Sequence, residues 1–296
     1  MNKKDKMTGL VAIMMAAMFV LVSCKKDDEG DSTTDLMLDV TGLPELDEFH
    51  VYEGWLIVDG SPVSTGTFTV DDMGTLSKSS FEVNTSNLDE ATEFVISIEP
   101  SPDPNSDPSE IYIMAGSFIG NSANLSIEQD MAIGAGFNSA AGKYILATPT
   151  NDSDTHEQSG IWWFDPQSQT ESLVLPELND GWIYEGWVIF NGQPVSTGKF
   201  SDPSMADDSD QYSATLPAPD FPGEDFLTNE PTGLSFPVDM SGKDVYISVE
   251  PDPDNSPDTF PIKILTGTVP NPATDNELYD MSNNAEHIDI FGEVSF

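Results

Sequence analysis

Two acidic, proline-rich segments carry the residue spacing of a cation site. Their polar side chains end in carboxylate or carboxamide oxygens, which are ligands that Ca²⁺ prefers. The candidates are Asp103, Asn105, Asp107 and Glu110 in the first segment, and Asp252, Asp254, Asn255 and Asp258 in the second. The calcium-loop pattern requires glycine at its sixth position, where the first segment has Pro108. Two interpretations therefore stand, a calcium site and a rigid acidic hairpin tip.

Residues for catalysis are scarce apart from carboxylates. The chain has three histidines, His50, His156 and His287, and no two of them have metal-ligand spacing. No Gly-x-Ser-x-Gly elbow occurs. Paired carboxylates could hydrolyse glycosides, but in a chain so rich in acids no particular pair is indicated. We expect no enzymatic activity and no cofactor other than calcium.

Four tryptophans are candidates for a stacking surface. Trp55 and Trp187 stand in strand-like runs among Tyr, Ile and Val, where a core position is favoured over a sugar platform. Trp162 and Trp163 are adjacent, so on a strand they point to opposite faces. We therefore expect one of this pair to lie outside the core or at a domain junction, where a ligand could stack.

The elements that must position these residues occur twice. YEGWLIVDGSPVSTGTF (52–68) and YEGWVIFNGQPVSTGKF (184–200) are identical at 12 of 17 positions. Each copy is rich in strand-forming residues and contains a turn dipeptide, Asp59-Gly60 or Asn191-Gly192. Both dipeptides tolerate the positive φ angles of a type I′ turn. Each copy therefore predicts a β-hairpin.

A second match extends each repeat. ISIEP (96–100) aligns with ISVEP (247–251), and IYIMAGS (111–117) aligns with IKILTGT (262–268), so each acidic segment joins two strands. No useful helical period follows residue 23. We predict an all-β protein with two tandem antiparallel β-sandwich domains, at 35–120 and 139–296, the second with extra strands and a long loop.

The N-terminus has the features of an export signal. A basic start precedes an apolar run from Gly9 to Val22, which is too short for a permanent membrane span. Residues 1–23 are therefore predicted to be a cleaved signal peptide, followed by an acidic tether at 24–34. Leu21-Val22-Ser23-Cys24 resembles a bacterial lipobox, and Cys24 is the chain's single cysteine. The resemblance implies a lipid on Cys24 and a membrane anchor.

The residues after Cys24 indicate where the protein faces. Lys25, Lys26, Asp27, Asp28 and Glu29 resemble the surface-export signal of Bacteroidota lipoproteins. The resemblance implies an outer-membrane lipoprotein that faces the cell exterior, and the periplasmic face is the alternative. These residues could also simply begin the polar tether.

The mature chain is strongly acidic. Residues 1–23 hold three of the ten lysines and one of the 52 acids, so the formal charge of the remainder is 7 − 51 = −44. Such a field excludes nucleic acid as a partner. A protein or a glycan remains open as a partner besides the membrane.

The repeated sequence resembles the extracytoplasmic C-terminal domain of anti-sigma-K factors. The similar features are the Trp-bearing strand, the Gly-Thr-Phe strand (66–68 in the first repeat), and the Glu-Pro strand end before a proline-rich hairpin. The resemblance covers about 70 residues of each repeat and implies a β-sandwich. The cytoplasmic sigma-binding domain of that family has no counterpart here, so no sigma-binding residue is transferred.

Three functional hypotheses follow. The first is a non-catalytic, lipid-anchored envelope or surface protein with a binding or structural role. The second is an envelope-sensing or accessory regulatory protein related to anti-sigma factors, and the third is a secreted hydrolase without a recognisable site.

Overall fold

The structure is a computed structural model that describes residues 32–104, 106–254 and 256–296. Within these residues the elements are mostly short strands, numbered here in chain order. They are β1 (Thr33–Thr41), β2 (His50–Val58), β3 (Ser61–Phe68), β4 (Ser80–Asn84), β5 (Ala91–Pro100), β6 (Tyr112–Ser117), β7 (Ser122–Ser126), β8 (Ala141–Tyr144), β9 (Gly160–Trp162), β10 (Phe164–Asp165), β11 (Thr170–Glu171), β12 (Leu173–Val174), β13 (Trp182–Phe190), β14 (Gln193–Phe200), β15 (Gly223–Asp225), β16 (Asp244–Pro251), β17 (Lys263–Thr268), β18 (Tyr279–Asp280), β19 (Ser282–Asn283) and β20 (Phe291–Ser295).

Helical structure in the described residues is limited to short pieces. One α-helix, α1 (Thr85–Glu90), is capped by Asn84, whose side chain accepts the Ser86 N–H at 2.9 Å. Three 3₁₀ turns span Phe137–Ser139, Glu157–Ser159 and Ala285–His287. No helix in the described part of the chain is long and apolar enough to cross a membrane. The predicted all-β class is confirmed.

The strands form two main antiparallel sheets. The larger has eight strands in the order β3-β2-β5-β6-β7-β20-β1-β4, and the other has five in the order β14-β13-β16-β17-β19. The two edges of the eight-stranded sheet approach each other. Phe68 of edge strand β3 packs edge-on against Phe81 of edge strand β4, with ring centroids 6.1 Å apart. The smaller sheets are β12-β8-β18, β15-β9 and β10-β11.

The two repeats fold alike at the positions that the sequence matched. β2 pairs with β3 and β5, as β13 pairs with β14 and β16. The turn residues Asp59 and Asn191 have φ angles of 50° and 55°, and the glycines after them are also positive, as a type I′ hairpin requires. A bulge interrupts each hairpin at the same place, Gly54/Trp55 and Gly186/Trp187. Both predicted hairpins are therefore confirmed.

The C-terminal strand crosses from one repeat to the other. β20 belongs by sequence to the 139–296 segment, yet it lies between β7 and β1 in the sheet of the first repeat. Val294 of β20 is fully buried there. β7 also lies beyond residue 120 and joins the same sheet. The first sheet therefore takes strands from outside the predicted 35–120 segment, and one hydrophobic core contains residues of both repeats.

Candidate functional site

A buried chain of polar side chains occupies the same place in each repeat. The Trp55 indole N–H donates to the Ser97 hydroxyl at 2.8 Å, and Ser97 donates to the Glu99 carboxylate. In the second repeat Trp187 donates to Ser248 at 2.9 Å, and Ser248 donates to Glu250. Each carboxylate also accepts a backbone N–H from the far side of the hairpin, that of Ser109 or Phe260. The network ties the Trp strand to the base of the acidic tip.

A second carboxylate stands beside each network. Glu53 on β2 and Glu185 on β13 are buried, and each accepts a hydrogen bond from a serine of the neighbouring strand, Ser64 or Ser196. Each glutamate stands two residues before the tryptophan on the same strand, so the two side chains share one face of the sheet. The duplicated Glu-Gly-Trp motif therefore builds a buried polar pair of carboxylates in each half.

The second repeat adds two charged groups to this pair. Asp254, in the tip after β16, joins Glu185 and Glu250, and one oxygen from each of the three lies within 4.8 Å of the others. The Lys199 ammonium lies 3.7 Å from Asp254 Oδ2 and donates to the Asp254 carbonyl at 2.5 Å. Asp254 and Lys199 are 14% and 18% exposed, so this cluster is largely shielded from solvent. These four residues are called the β13–β16 carboxylate cluster below.

Burial governs the protonation of this cluster. Desolvation raises the pKa of Glu250 to about 8, and the nearby Glu185 and Asp254 charges act in the same direction. Desolvation also raises the pKa of Glu185 to about 7, against the Ser196 hydrogen bond and the Lys199 charge. In the first repeat, desolvation raises the pKa of Glu99. The carboxylates in the second repeat are therefore poorly compensated by their neighbours.

A separate group of carboxylates, two buried and one half-buried, lies in the inserted loop of the second repeat. Asp225 accepts the Trp162 indole N–H at 2.8 Å and the Thr150 N–H at 2.9 Å, and Glu224 accepts the Tyr212 N–H at 3.2 Å. Asp207 accepts the Gly223 N–H at 2.7 Å. These hydrogen bonds fold the proline-rich loop back over β9. The group therefore has a structural use in fixing that loop.

The predicted stacking tryptophans are not on the surface. Trp162 and Trp163 are 1% and 0% exposed, so neither lies outside the core, and a place at a domain junction stays a prediction. The Trp163 ring fills the space beside Gly186, 2.7 Å from where a β-carbon would stand. The Trp162 ring packs with Ile145 and Ala147, and its indole N–H donates to Asp225 of the paired strand β15. Trp55 and Trp187 are each 1% exposed and are core residues, as favoured.

Among the described residues, the acids of each tip do not by themselves form a group of three carboxylates that could share one ion. Asp103, Asp107, Glu110, Asp252 and Asp258 are exposed, and Asn105 and Asn255 lie outside the described residues. Within the described part of the chain, Asp254 is the one tip residue that joins a group of three carboxylates, and its partners are strand residues. Sequence analysis missed Glu185 and Glu250 as possible ligands, although both stand in the repeated motifs that it aligned.

The remaining candidates are dispersed or undescribed. His50 Nδ1 lies 2.7 Å from Asp47 Oδ1 at the surface, and His156 and His287 are exposed. The lipidation candidate Cys24 and the export candidates Lys25, Lys26, Asp27, Asp28 and Glu29 lie outside the described residues.

Comparison with known proteins supports the domain resemblance for the first repeat. Residues 11–110 match the family model described as anti-sigma-K factor rskA, C-terminal. The matched segment ends at Glu110, within the first acidic tip, and includes the Trp strand and the Glu-Pro strand. No curated protein and no solved structure matches this chain.

Proposed function

We propose that this protein is a non-catalytic lipoprotein of the bacterial outer membrane, with a binding or structural role outside the cytoplasm. The proposal rests mainly on one observation, that the polar groups of the repeated motif hydrogen-bond within the protein. In both repeats the tryptophan N–H, the serine hydroxyl and the glutamate carboxylate bond to one another and to the backbone. A catalytic group has to present a reactive atom to a substrate, whereas these atoms hold strands together.

The anchor in this proposal is a lipid on Cys24. Its support is the position of the chain's single cysteine directly after an apolar leader. Replacing Cys24 by alanine is expected to move the protein from the membrane fraction to the soluble fraction, with Ser23→Ala as the control. Unchanged membrane association of Cys24→Ala would refute the anchor.

The surface orientation depends on the residues directly after the anchor. Protease added to intact cells is expected to digest the native protein. A triple alanine replacement of Lys26, Asp27 and Asp28 should protect it, because the protein would stay on the periplasmic face. Equal digestion of both forms would refute a role of this segment in export.

An envelope-sensing role is the second candidate, and the family match at residues 11–110 favours it. In this case the acidic β-units detect a condition outside the cell, and a different protein carries the signal inward. Deletion of the gene should then change transcript levels in one sigma-factor regulon, and restored expression should reverse the change. A structural role alone predicts no such regulon response.

A further inference from the structure

The β13–β16 carboxylate cluster has the dimensions of a cation site. Glu185, Glu250 and Asp254 each provide an oxygen, and these oxygens all lie within 4.8 Å of one another. Two ligands on opposite sides of a Ca²⁺ ion, with bonds of 2.3–2.6 Å, lie roughly 4.6–5.2 Å apart. One cation can therefore contact all three side chains with little rearrangement.

Among the residues that the structure describes, two oxygens of the cluster have no hydrogen-bond donor. Glu185 is 4% exposed, and its Oε2 is buried without a partner, while Oε1 accepts the Ser196 hydroxyl. Asp254 Oδ2 is also buried without a hydrogen bond, while Oδ1 accepts the Ser256 N–H at 2.8 Å. Buried carboxylate oxygens are normally satisfied by donors or by a metal. Both of these oxygens belong to residues of the same small cluster.

The charge of the cluster matches a divalent ion. When all three carboxylates are ionised, as metal ligation requires, they and the Lys199 ammonium sum to a formal charge of −2, and a bound cation favours this ionised state. Lys199 approaches Asp254 at 3.7 Å, so it offsets part of the negative charge without forming a short ion pair. A divalent cation would complete the neutralisation.

We infer that Glu185, Glu250 and Asp254 form a binding site for one hard divalent cation, with Ca²⁺ as the expected ion. The donors are all oxygens, which suit hard cations, and a site formed by two strands and a loop suits the flexible coordination of Ca²⁺ better than the strict octahedron of Mg²⁺. Of the tip residues that the structure describes, only Asp254 contributes to it. The inference does not depend on membrane anchoring or on the proposed function.

The first repeat supplies a matched control within the same chain. Glu53, Glu99 and Asp103 occupy the positions equivalent to Glu185, Glu250 and Asp254. Thr67 stands opposite Glu53 where Lys199 stands opposite Glu185. Asp103 is exposed, whereas Asp254 is 14% exposed, and in the described residues the first trio forms no comparable carboxylate group. Only the second repeat is expected to bind the ion.

The test is calorimetric titration of CaCl₂ into the full-length protein, purified in detergent and stripped of metal with EDTA, at constant ionic strength. The parent is expected to bind one equivalent with saturation. Glu185→Gln and Asp254→Asn should each weaken binding at least tenfold, and both should keep the parent circular dichroism. Glu53→Gln and Asp103→Asn should bind as the parent does.

Tb³⁺ luminescence gives a second measurement that locates the ion. Trp187 is linked to Glu250 through Ser248, so excitation of this indole should sensitise Tb³⁺ in the cluster. Trp187→Phe should remove most of the emission, and Trp55→Phe should retain it. The inference is overturned by non-saturating heats in the parent, by parent-like binding in Glu185→Gln, or by equal losses in the first-repeat variants. Tighter binding of Mg²⁺ than of Ca²⁺ would keep the site and overturn the assigned ion.

Discussion

Leu38 and Val294 lie directly opposite each other on paired antiparallel strands, although they stand near opposite ends of the described chain. Both side chains are buried, at 3% and 0% exposure. The pairing closes the first sheet with a strand from the far end of the second repeat. The two halves therefore share backbone hydrogen bonds as well as a core.

This closure makes the first repeat sensitive to the C-terminus. Val294→Ala removes two buried methyl groups, and we expect it to lower the free energy of unfolding by about 2 kcal/mol. Amide exchange should accelerate in β1 and β7, which flank β20. The control is Phe291→Ala on the same strand, where the side chain is 57% exposed and the expected loss is smaller. Equal losses in the two variants, or no exchange response in β1, would contradict the prediction.

The local parts of the fold could be predicted because their causes are local. Asp59-Gly60 and Asn191-Gly192 have positive φ angles through their own backbone chemistry, so each dipeptide specifies its hairpin wherever it stands. The strands on either side follow from their composition. The same local reasoning predicted Trp55 and Trp187 as core residues.

The other parts depend on pairings between distant segments. β1 and β20 pair although nearly the whole described chain separates them in sequence, and no residue pattern in either strand specifies the other as its partner. Trp162 donates its indole N–H to Asp225 on β15, a strand inside the proline-rich insertion that the sequence predicted as a loop. Asp254 was found by its alternating acids, whereas its real neighbours, Glu185 and Glu250, lie on strands brought together by the sheet.

The tryptophan networks of the two repeats should contribute equally to the free energy of unfolding. Trp187→Phe removes the N–H that donates to Ser248, and Trp55→Phe does the same to Ser97. A buried hydroxyl that loses its donor, added to the lost ring volume, should cost about 2–3 kcal/mol in each case. Chemical denaturation of the single and double variants measures both costs.

A double-mutant cycle separates the hydrogen bond from the packing. Combined with Ser248→Ala, Trp187→Phe should cost less than it does alone, because the serine is no longer left without its donor. Strict additivity of the two substitutions would show that the Trp187–Ser248 hydrogen bond contributes no measurable coupling.

Two lysine–aspartate pairs allow distance to be weighed against burial. Lys143 lies 2.9 Å from Asp280 at the surface, with side chains 52% and 81% exposed. Lys199 lies farther from Asp254, at 3.7 Å, but these side chains are only 18% and 14% exposed. We expect Lys143→Met to cost less than about 1 kcal/mol. Lys199→Met should cost about 2 kcal/mol or more, because it leaves a shielded carboxylate without its ammonium.

The measurement is urea denaturation in EDTA, so that no divalent ion replaces the missing lysine. Raising NaCl from 0.1 to 1 M should reduce the cost of Lys143→Met more than that of Lys199→Met, since exposed pairs are screened more strongly. A larger cost for Lys143→Met would reverse the ranking and show that separation outweighs burial in this protein.

Asp207 is expected to make stability fall as the pH rises. Desolvation raises its pKa to about 7, and the Glu224 and Asp208 charges add to that effect. In the unfolded chain the pKa of an aspartate is about 3.9, so between the two pKa values the folded state holds a proton that the unfolded state has lost. The stabilisation that this proton gives the folded state is therefore complete below the pKa of the unfolded chain and is lost as the pH rises through about 7. Its largest slope is about 1.4 kcal/mol per pH unit.

The check is the free energy of unfolding from pH 5 to pH 8 in 0.5 M NaCl with EDTA, where salt screens the general repulsion among carboxylates. The parent should lose stability across this range, and Asp207→Asn should show a shallower slope because its side chain does not titrate. The Asn variant should also be less stable at pH 5, since Asp207 accepts a backbone N–H on each oxygen, from Gly223 at 2.7 Å and from Ser209 at 3.0 Å, and the amide nitrogen of Asn cannot accept either. Asp72→Asn, at an exposed position, should keep the parent slope. Parallel curves for the parent and Asp207→Asn would show that Asp207 does not hold its proton in the folded state.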